Sequence, residues 1–567
     1  MMTLHQTHVD GVQCFWVESG RPTLGCWLLF RAGSADEPLN QSGWLHLLEH
    51  SVLHGRGGGA LHVNGFVSPL ITGFETHGPT QQVTRHLRDV TAWLADPDLT
   101  DLDRERAVLR AEAGMRGGPG ERALAWRYGS RGPGVLAMGE PGLGRATPGR
   151  LRELAESVFT QGNAALVLDG PPPDDLELSL PPGDLRPARP AVPCEDELPG
   201  WYVDPAGLVL SGVVPRGTPG TLLSELLQRE VREQFRNQDG ASYAPWSWYE
   251  AVDPDHALVV VGADIAREAY PTLAKRARKL VRWMADDGPS ADQLRDQVES
   301  RLQAVNDPYN AVGVAGRAAH EYLRGRPVLN HQQVVEELEA LTTEDIRAVA
   351  SDFRRSLMLG VPGDSPVPEG IPQLAQPTSR GRVTGRRFRH RDWPAVTAYL
   401  VVDDDDAHLV AEPEYQCYHA DDVEGIHQFA DGARHLVTSD GWGLTVQPEE
   451  WHGGDTLVAA LDAMVPEERH LPMPAREDSG PGPRMALLRR WWAARKTPKG
   501  PVTFVVGTVL LALVGVVLVA YGRFLVGGFW LVGAGITAKE AVDRWRRRVY
   551  RGRGGSGEHP PPGAGGR

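Results

Sequence analysis

The run His46-Leu47-Leu48-Glu49-His50 sets two imidazoles four residues apart with a carboxylate beside the second. On an α-helix, residues four apart share a face, so both rings can turn a nitrogen toward one ion. Glu49 is three residues from His46 and shares that face. There a carboxylate next to a metal-bound water can act as a general base. The order is the inverse of the zincin HExxH pattern. With 19 histidines in the chain, such a pentapeptide also arises by chance in roughly a few sequences per hundred. An amphipathic helix can carry the same residues on a polar face with no chemistry. Zinc needs a third protein ligand and an open fourth position. Downstream, in LDRERAVLRAE (102–112), Glu105 and Glu112 lie two helical turns apart on one face, while Val108 and Leu109 can pack inward. Taken alone, that pair reads as a solvated charged face. His54 continues the histidine spacing but sits at the helix end beside Gly55, where an imidazole answers the helix dipole. It is left outside the site.

The elements that must position these groups alternate between strand and helix. GCWLLFRAG (25–33) reads as a buried strand, and SGWLHLLEHSVLHG as a helix from near Ser42 to Gly55 with Leu45, Leu48 and Val52 as its apolar stripe. Helices follow over 86–97 and 101–115, then TPGRLRELAESVF as a helix and AALVLDG as a closing strand. The second segment repeats the alternation. LVLSGVV and HALVVVGADI read as strands, LLSELLQREVREQF, YPTLAKRARKLVRWMADD and ADQLRDQVESRLQAV as helices, and SLMLGVP closes it. The repeat lies in the order of elements, not in the residues. Pro-rich breaks at 170–193, 361–377 and 465–483 mark boundaries. The third segment, 380–466, holds short strand-like pieces and a final amphipathic helix, DTLVAALDAMV. It reads as a small β-rich domain, pleckstrin-homology-like in pattern.

The HxxEH helix followed by an ERxxVxxE-like helix resembles the insulinase/pitrilysin-type (M16) zinc metallopeptidases. AGSADEP…SGWLHLLEH and GLGRATPGRLRELAESVFTQGNAALVLDG match the approach to that family's zinc helix and the close of its first domain. The resemblance implies an α+β chain with two tandem M16-like α/β sandwich domains, 1–172 and 195–364. It implies Zn2+ held by His46, His50 and Glu112, with Glu105 supporting a ligand from behind and Glu49 as the catalytic base. In the second unit, Arg236 and Tyr243, seven apart around Gly240, match the family's pair that faces the zinc and donates to the oxyanion. Every expected group is present, which argues against a degenerate subunit. One departure concerns the Asn-Ala-x-Thr edge strand that pairs with substrate. GFVSPLITGFETHG has no clear Asn-Ala, and Pro69 would remove a strand donor. The separation of His50 from Glu112 is also short for the family and implies a trimmed loop. Family members enclose a chamber with four α+β domains. Two domains here imply a homodimer, or a heterodimer with another M16-like chain, and peptides or unfolded segments as substrate.

Composition narrows the remaining classes. The 567 residues carry 59 Lys+Arg against 73 Asp+Glu, a net charge of −14, which excludes a nucleic-acid binder relying on a basic footprint. Four cysteines make neither a disulfide framework nor a zinc ribbon and read as free thiols in a reducing compartment. No signal peptide is evident at the N-terminus. VTFVVGTVLLALVGVVLVAY (502–521) is twenty residues without a charge, long enough to cross a bilayer. Basic stretches flank it within 485–550. FLVGGFWLVGAGITA (524–538) is short for a second span, yet basic flanks on both sides favour a hairpin turning at Gly522-Arg523 over one span with an interfacial helix. Residues 551–567 read as a disordered tail. The expectation is a cell-membrane metallopeptidase with its soluble domains on the cytoplasmic side. The alternatives are a non-catalytic M16-like peptide-binding or assembly subunit and a membrane-tethered scaffold. P-loop, GxSxG and CxxC motifs are absent. The run Asp403–Asp406 reads as a solvated turn rather than a calcium loop, since EF-hand spacing is missing.

Overall fold

Continuous apolar strands need cover on both faces, and the architecture supplies it. The computed structural model describes residues 3–474 apart from 114–116 and 195–196. The expected anchor (485–550, with spans 502–521 and 524–538) and the tail 551–567 lie outside the described residues. Among the described residues no helix is long and apolar enough to cross a membrane.

In the first unit, β1 (Leu4–Val9), β2 (Val12–Val17) and β3 (Leu24–Phe30) lead to helix α1 (Trp44–Leu53). The hairpin β4 (His62–Val67) and β5 (Thr72–Gly78) follows, then α2 (Thr80–Ala95), α3 (Leu102–Ala113), α4 (Pro119–Tyr128), α5 (Pro148–Val158) and β6 (Ala164–Leu168). Its six strands run β1-β2-β6-β3-β5-β4, so β4 is an edge. The second unit repeats this plan with β7 (Gly200–Val203), β8 (Leu208–Pro215), α6 (Thr218–Val231), β9 (Trp246–Ala251), β10 (His256–Ala263), α7 (Leu273–Asp286), α8 (Ala291–Asn306), α9 (Ala311–Leu323), α10 (His331–Glu339), α11 (Thr343–Arg355) and β11 (Met358–Val361). Its sheet runs β7-β11-β8-β10-β9.

Each unit covers one face of its sheet with its own helices. Leu28 and Phe30 of β3 pack with Leu45, Leu48, Val83 and Leu151. Leu210 and Val259 pack with Leu223, Leu280 and Phe353. The other faces are covered by exchange. Ala315, Ala318 and Ala319 of α9 pack on Phe15, Leu29 and Val167 of the first sheet. Ala123, Leu124 and Tyr128 of α4 pack on Val209, Leu258 and Val260 of the second. Both helices meet a tryptophan at a glycine. A Cβ at Gly316 would overlap the Trp27 ring, and one at Gly120 the Trp248 ring. The sequence reading missed both helices.

The third segment forms two sheets. β12 (Ser379–Arg380), β13 (Arg386–Arg389), β14 (Tyr399–Val402), β15 (Asp406–Ala411) and β16 (Glu414–His419) assemble as β12-β16-β15-β14-β13. β17 (Val423–Phe429), β18 (Arg434–Thr438), β19 (Gly443–Val446) and, after helix α12 (Gly454–Met464), β20 (His470–Met473) assemble as β19-β18-β17-β20. Leu400, Tyr418, Ile426, Leu436, Leu457 and Leu461 share its core. This segment docks on the first unit. The Ser130 hydroxyl donates to the Thr438 carbonyl at 2.8 Å, and the Arg145 guanidinium donates to the His470 carbonyl at 2.9 Å.

The first Pro-rich break is not a free linker. Leu176, Leu178 and Leu180 are buried in the first core, and the Leu178 N–H donates to Asp10 at 2.8 Å. Proline excludes regular structure there, yet the leucines still have apolar area to bury. The exchanged helices can be tested by overpacking. Gly316→Val should lower stability by about 1–3 kcal/mol, read as a lower denaturant midpoint at unchanged m-value. An unchanged midpoint would show that α9 does not press on Trp27.

Candidate metal centre

The helix carrying the imidazoles starts on a left-handed glycine. Gly43 has φ 86°, a conformation costly to other residues, and a Cβ there would come within 2.8 Å of Glu140. The buried Glu37 carboxylate accepts the N–H groups of Gly43 at 3.0 Å and Leu45 at 2.7 Å, satisfying donors that a helix start leaves orphaned. Burial pushes Glu37 up to about 8, against the downward pull of those N–H bonds. The expected stripe of Leu45, Leu48 and Val52 is buried. The helix ends at His54, whose N–H donates to the His50 carbonyl.

This seating brings the sequence-predicted metal residues together. The His46 and His50 rings stand 84° apart with centroids at 4.6 Å. Their Nε2 atoms lie 4.0 and 3.5 Å from Glu112 Oε2 on α3, and 3.7 and 3.8 Å from Glu49 Oε2. Donors bound to one tetrahedral zinc at about 2.0–2.1 Å stand roughly 3.3 Å from each other. The observed separations exceed that by less than 1 Å, within reach of small side-chain rotations, and two imidazoles with a carboxylate are zinc donors by type. His46, Glu49 and His50 also offer atoms all within 4.8 Å of one another.

Glu105 reaches the same helix from below. It is buried, 3.7 Å from His50 Nδ1 and 2.9 Å from His54 Nδ1. His54 therefore joins Glu105 and Arg104, which meets its Nε2 at 2.8 Å, and stays out of the donor set. Burial first, and then the neighbouring His46, lower the His50 pKa below its ordinary 6.5. The folded site thus resists protonating this ring, and the neutral form needed for ligation persists to lower pH. The stability linked to His50 is present above 6.5 and is lost on acidification through the lowered value.

Three residues of the site escaped the sequence reading. Glu140 Oε1 lies 2.9 Å from His46 Nδ1, so Glu140 sets which ring nitrogen faces Glu49 and Glu112. It holds φ 57°, rare for a residue with a Cβ. The next residues are clasped to the start of α1. The Gly142 N–H donates to Ser42 Oγ at 3.1 Å, and Trp44 Nε1–H donates to the Gly142 carbonyl at 2.9 Å. Glu37 is the second residue. The third is Gly65, where a Cβ would overlap Glu49 Oε1. Its strand corrects an expectation. Asn64-Gly65 lies inside edge strand β4, and Pro69 falls in the turn between β4 and β5, so it costs no ladder donor.

No family model matches this chain, and no curated protein matches it either. Solved structures do. A protease from Helicobacter pylori aligns at 14% identity with TM-score 0.51, over 64% of this chain and 100% of its own. The inactive domain of an M16 peptidase from Pseudomonas fluorescens gives 15% and 0.51, over 64% and 99%. A chain of complex III2 from Candida albicans gives 12% and 0.51, over 63% and 95%. The fold is that of the M16 peptidases.

The sequence-predicted Arg236 and Tyr243 lie beside each other. Arg236 lies in the π-helical turn Arg232–Asn237 after α6. Its guanidinium sits 5.7 Å from the Tyr243 ring centroid, and Tyr243 is 79% exposed. The Tyr243 N–H donates to Asp264 at 3.2 Å.

Two measurements check the centre. Glu140→Gln should weaken zinc binding about 10–100-fold in a chelator competition, and an unchanged affinity would remove Glu140 from the centre. In an NMR titration of the metal-free protein, His50 should protonate below 6.5. A midpoint at or above that value would contradict the burial argument.

Proposed function

We propose that this chain is a membrane-anchored, zinc-dependent metallopeptidase that hydrolyses peptides or unfolded segments. The observation that carries the reading is the convergence of His46 Nε2, His50 Nε2 and Glu112 Oε2 beside the buried Glu49 carboxylate. Zinc, when bound, lowers the pKa of a coordinated water to about 7 and polarises a carbonyl. Glu49 takes the proton of the attacking water and returns it to the leaving amine. Glu140 fixes His46, and Glu105 lies behind His50. The bare backbone of Gly65 leaves Glu49 room against edge strand β4. A substrate strand adding to the unpaired edge of β4 would gain main-chain hydrogen bonds with little sequence preference.

Arg236 and Tyr243 donate to the oxyanion. Their exposure supports service to the centre of a second M16-like chain, in a homodimer or a heterodimer. The uncharged run 502–521, with or without 524–538, tethers the protein to the cell membrane, and basic flanks put the soluble domains on the cytoplasmic side. A second reading is a non-catalytic M16-like subunit. It draws support from the likeness to an inactive M16 domain and to complex III2.

A quenched-peptide library assay on full-length protein separates the two. Zinc-loaded wild type should cleave, and Glu49→Gln should retain zinc and lose about 10²–10⁴-fold in turnover. Equal turnover in that variant would remove Glu49 as the base. Zinc-loaded wild type that cleaves nothing, alone or with a second M16-like chain, would favour the subunit.

A further inference from the structure

The third segment carries a second convergence of metal-binding groups, remote in sequence from the first. On adjacent strands β15 and β16, Asp406 pairs with His419 and His408 with Cys417 in antiparallel register. Residues two apart on a strand share a face, so all four side chains leave one side of the sheet. The opposite side carries Ala407 and Tyr418, which enter the core. The four are therefore surplus to core packing, yet they are not all solvated. His408 is 8% exposed, and its Nδ1 is buried without a hydrogen-bond partner. The imidazole is thus held out of water beside Asp406 and Cys417.

The donors stand close. Asp406, His408 and Cys417 offer one ligand atom each within 4.8 Å of the others. His408 Nε2 is 4.0 Å from Asp406 Oδ2. Cys417 Sγ lies 3.4 Å from His419 Nε2, and His419 Nδ1 is in close contact with Asp406 Oδ1. The His408 ring rests edge-on against Tyr415 at 5.3 Å, which steadies one wall. The acidic run divides accordingly. Asp403 Oδ1 accepts the N–H groups of Asp405 and Asp406 at 3.1 and 2.8 Å, closing the turn, while Asp406 faces the cluster.

We propose that Asp406, His408, Cys417 and His419 form a structural zinc site on the outer face of the third domain. A thiolate and two imidazoles with one carboxylate suit a borderline-soft, four-coordinate cation and not calcium, which takes oxygen ligands. Four protein donors leave no open position, so the site has no catalytic role. It pins the outer face of the β15–β16 hairpin beside the small apolar cluster of Val401, Val410 and Tyr415. The inference stands on its own donors and does not depend on the centre at His46.

Cobalt substitution in the full-length, metal-stripped protein tests it, since a cysteinate–cobalt bond gives a charge-transfer band that imidazole and carboxylate ligands do not. Wild type should show that band on cobalt addition, and zinc should abolish it. His50→Ala, aimed at the centre that has no cysteine, should leave the band intact. Cys417→Ser should remove it, and the exposed His419→Ala should alter the visible cobalt spectrum without unfolding the protein. A wild-type protein that binds cobalt without the band overturns the proposal. So does a band that survives in Cys417→Ser, which would trace to Cys14, Cys26 or Cys194.

Discussion

Glu140 meets His46 Nδ1 at 2.9 Å, and that contact decides where the other ring nitrogen points. An imidazole left to rotate would present either nitrogen, and the convergence with His50 and Glu112 would be lost. The contact is expensive to hold, because Glu140 sits in a left-handed conformation of the kind that persists only where its surroundings enforce it. Ser42 and Trp44 enforce it from α1 through Gly142. The third domain presses from the other side. Arg145 is tied to the carbonyls of Glu467 and His470, and a Cβ at Gly144 would overlap the Pro472 carbonyl. The β-rich domain thus braces the turn that orients a candidate ligand, which gives it a mechanical part in the centre.

The exchanged helices serve the same end at larger scale. Each sheet is apolar on both faces, and each unit supplies helices for one face only. Lending α9 to the first sheet and α4 to the second buries the remainder without a further layer. The glycines at Trp27 and Trp248 let helix and ring approach closely. In chain order α3, which holds Glu105 and Glu112, precedes α4, the helix committed to the second sheet.

What was legible in the sequence was local. Four-residue spacing placed His46 and His50 on one helix face, seven-residue spacing placed Glu105 and Glu112 on another, and apolar periodicity located α1, α3, α6, α7, α8 and the principal strands. What was hidden depended on distant partners. Glu140 lies in a Gly-Glu-Pro-Gly turn 94 residues from His46, and nothing in its neighbours tells it from the other acids. Gly65 reads as an ordinary strand glycine until Glu49 is seen against it. α4 and α9 were missed because glycines interrupt or flank them, and Gly120 and Gly316 answer to tryptophans on other elements. Asp406, His408, Cys417 and His419 show no spaced motif, because their face is assembled by strand register.

Zinc binding here requires Glu112 to close the imidazole pair, and anomalous diffraction at the zinc edge from crystals of the zinc-loaded protein tests that directly. One peak, separate from any at Cys417, should lie about 2.0–2.1 Å from His46 Nε2, His50 Nε2 and a Glu112 carboxylate oxygen, with Glu49 adjacent but not bound. A peak held by the two histidines with Glu112 turned away, or no peak between them, would contradict it.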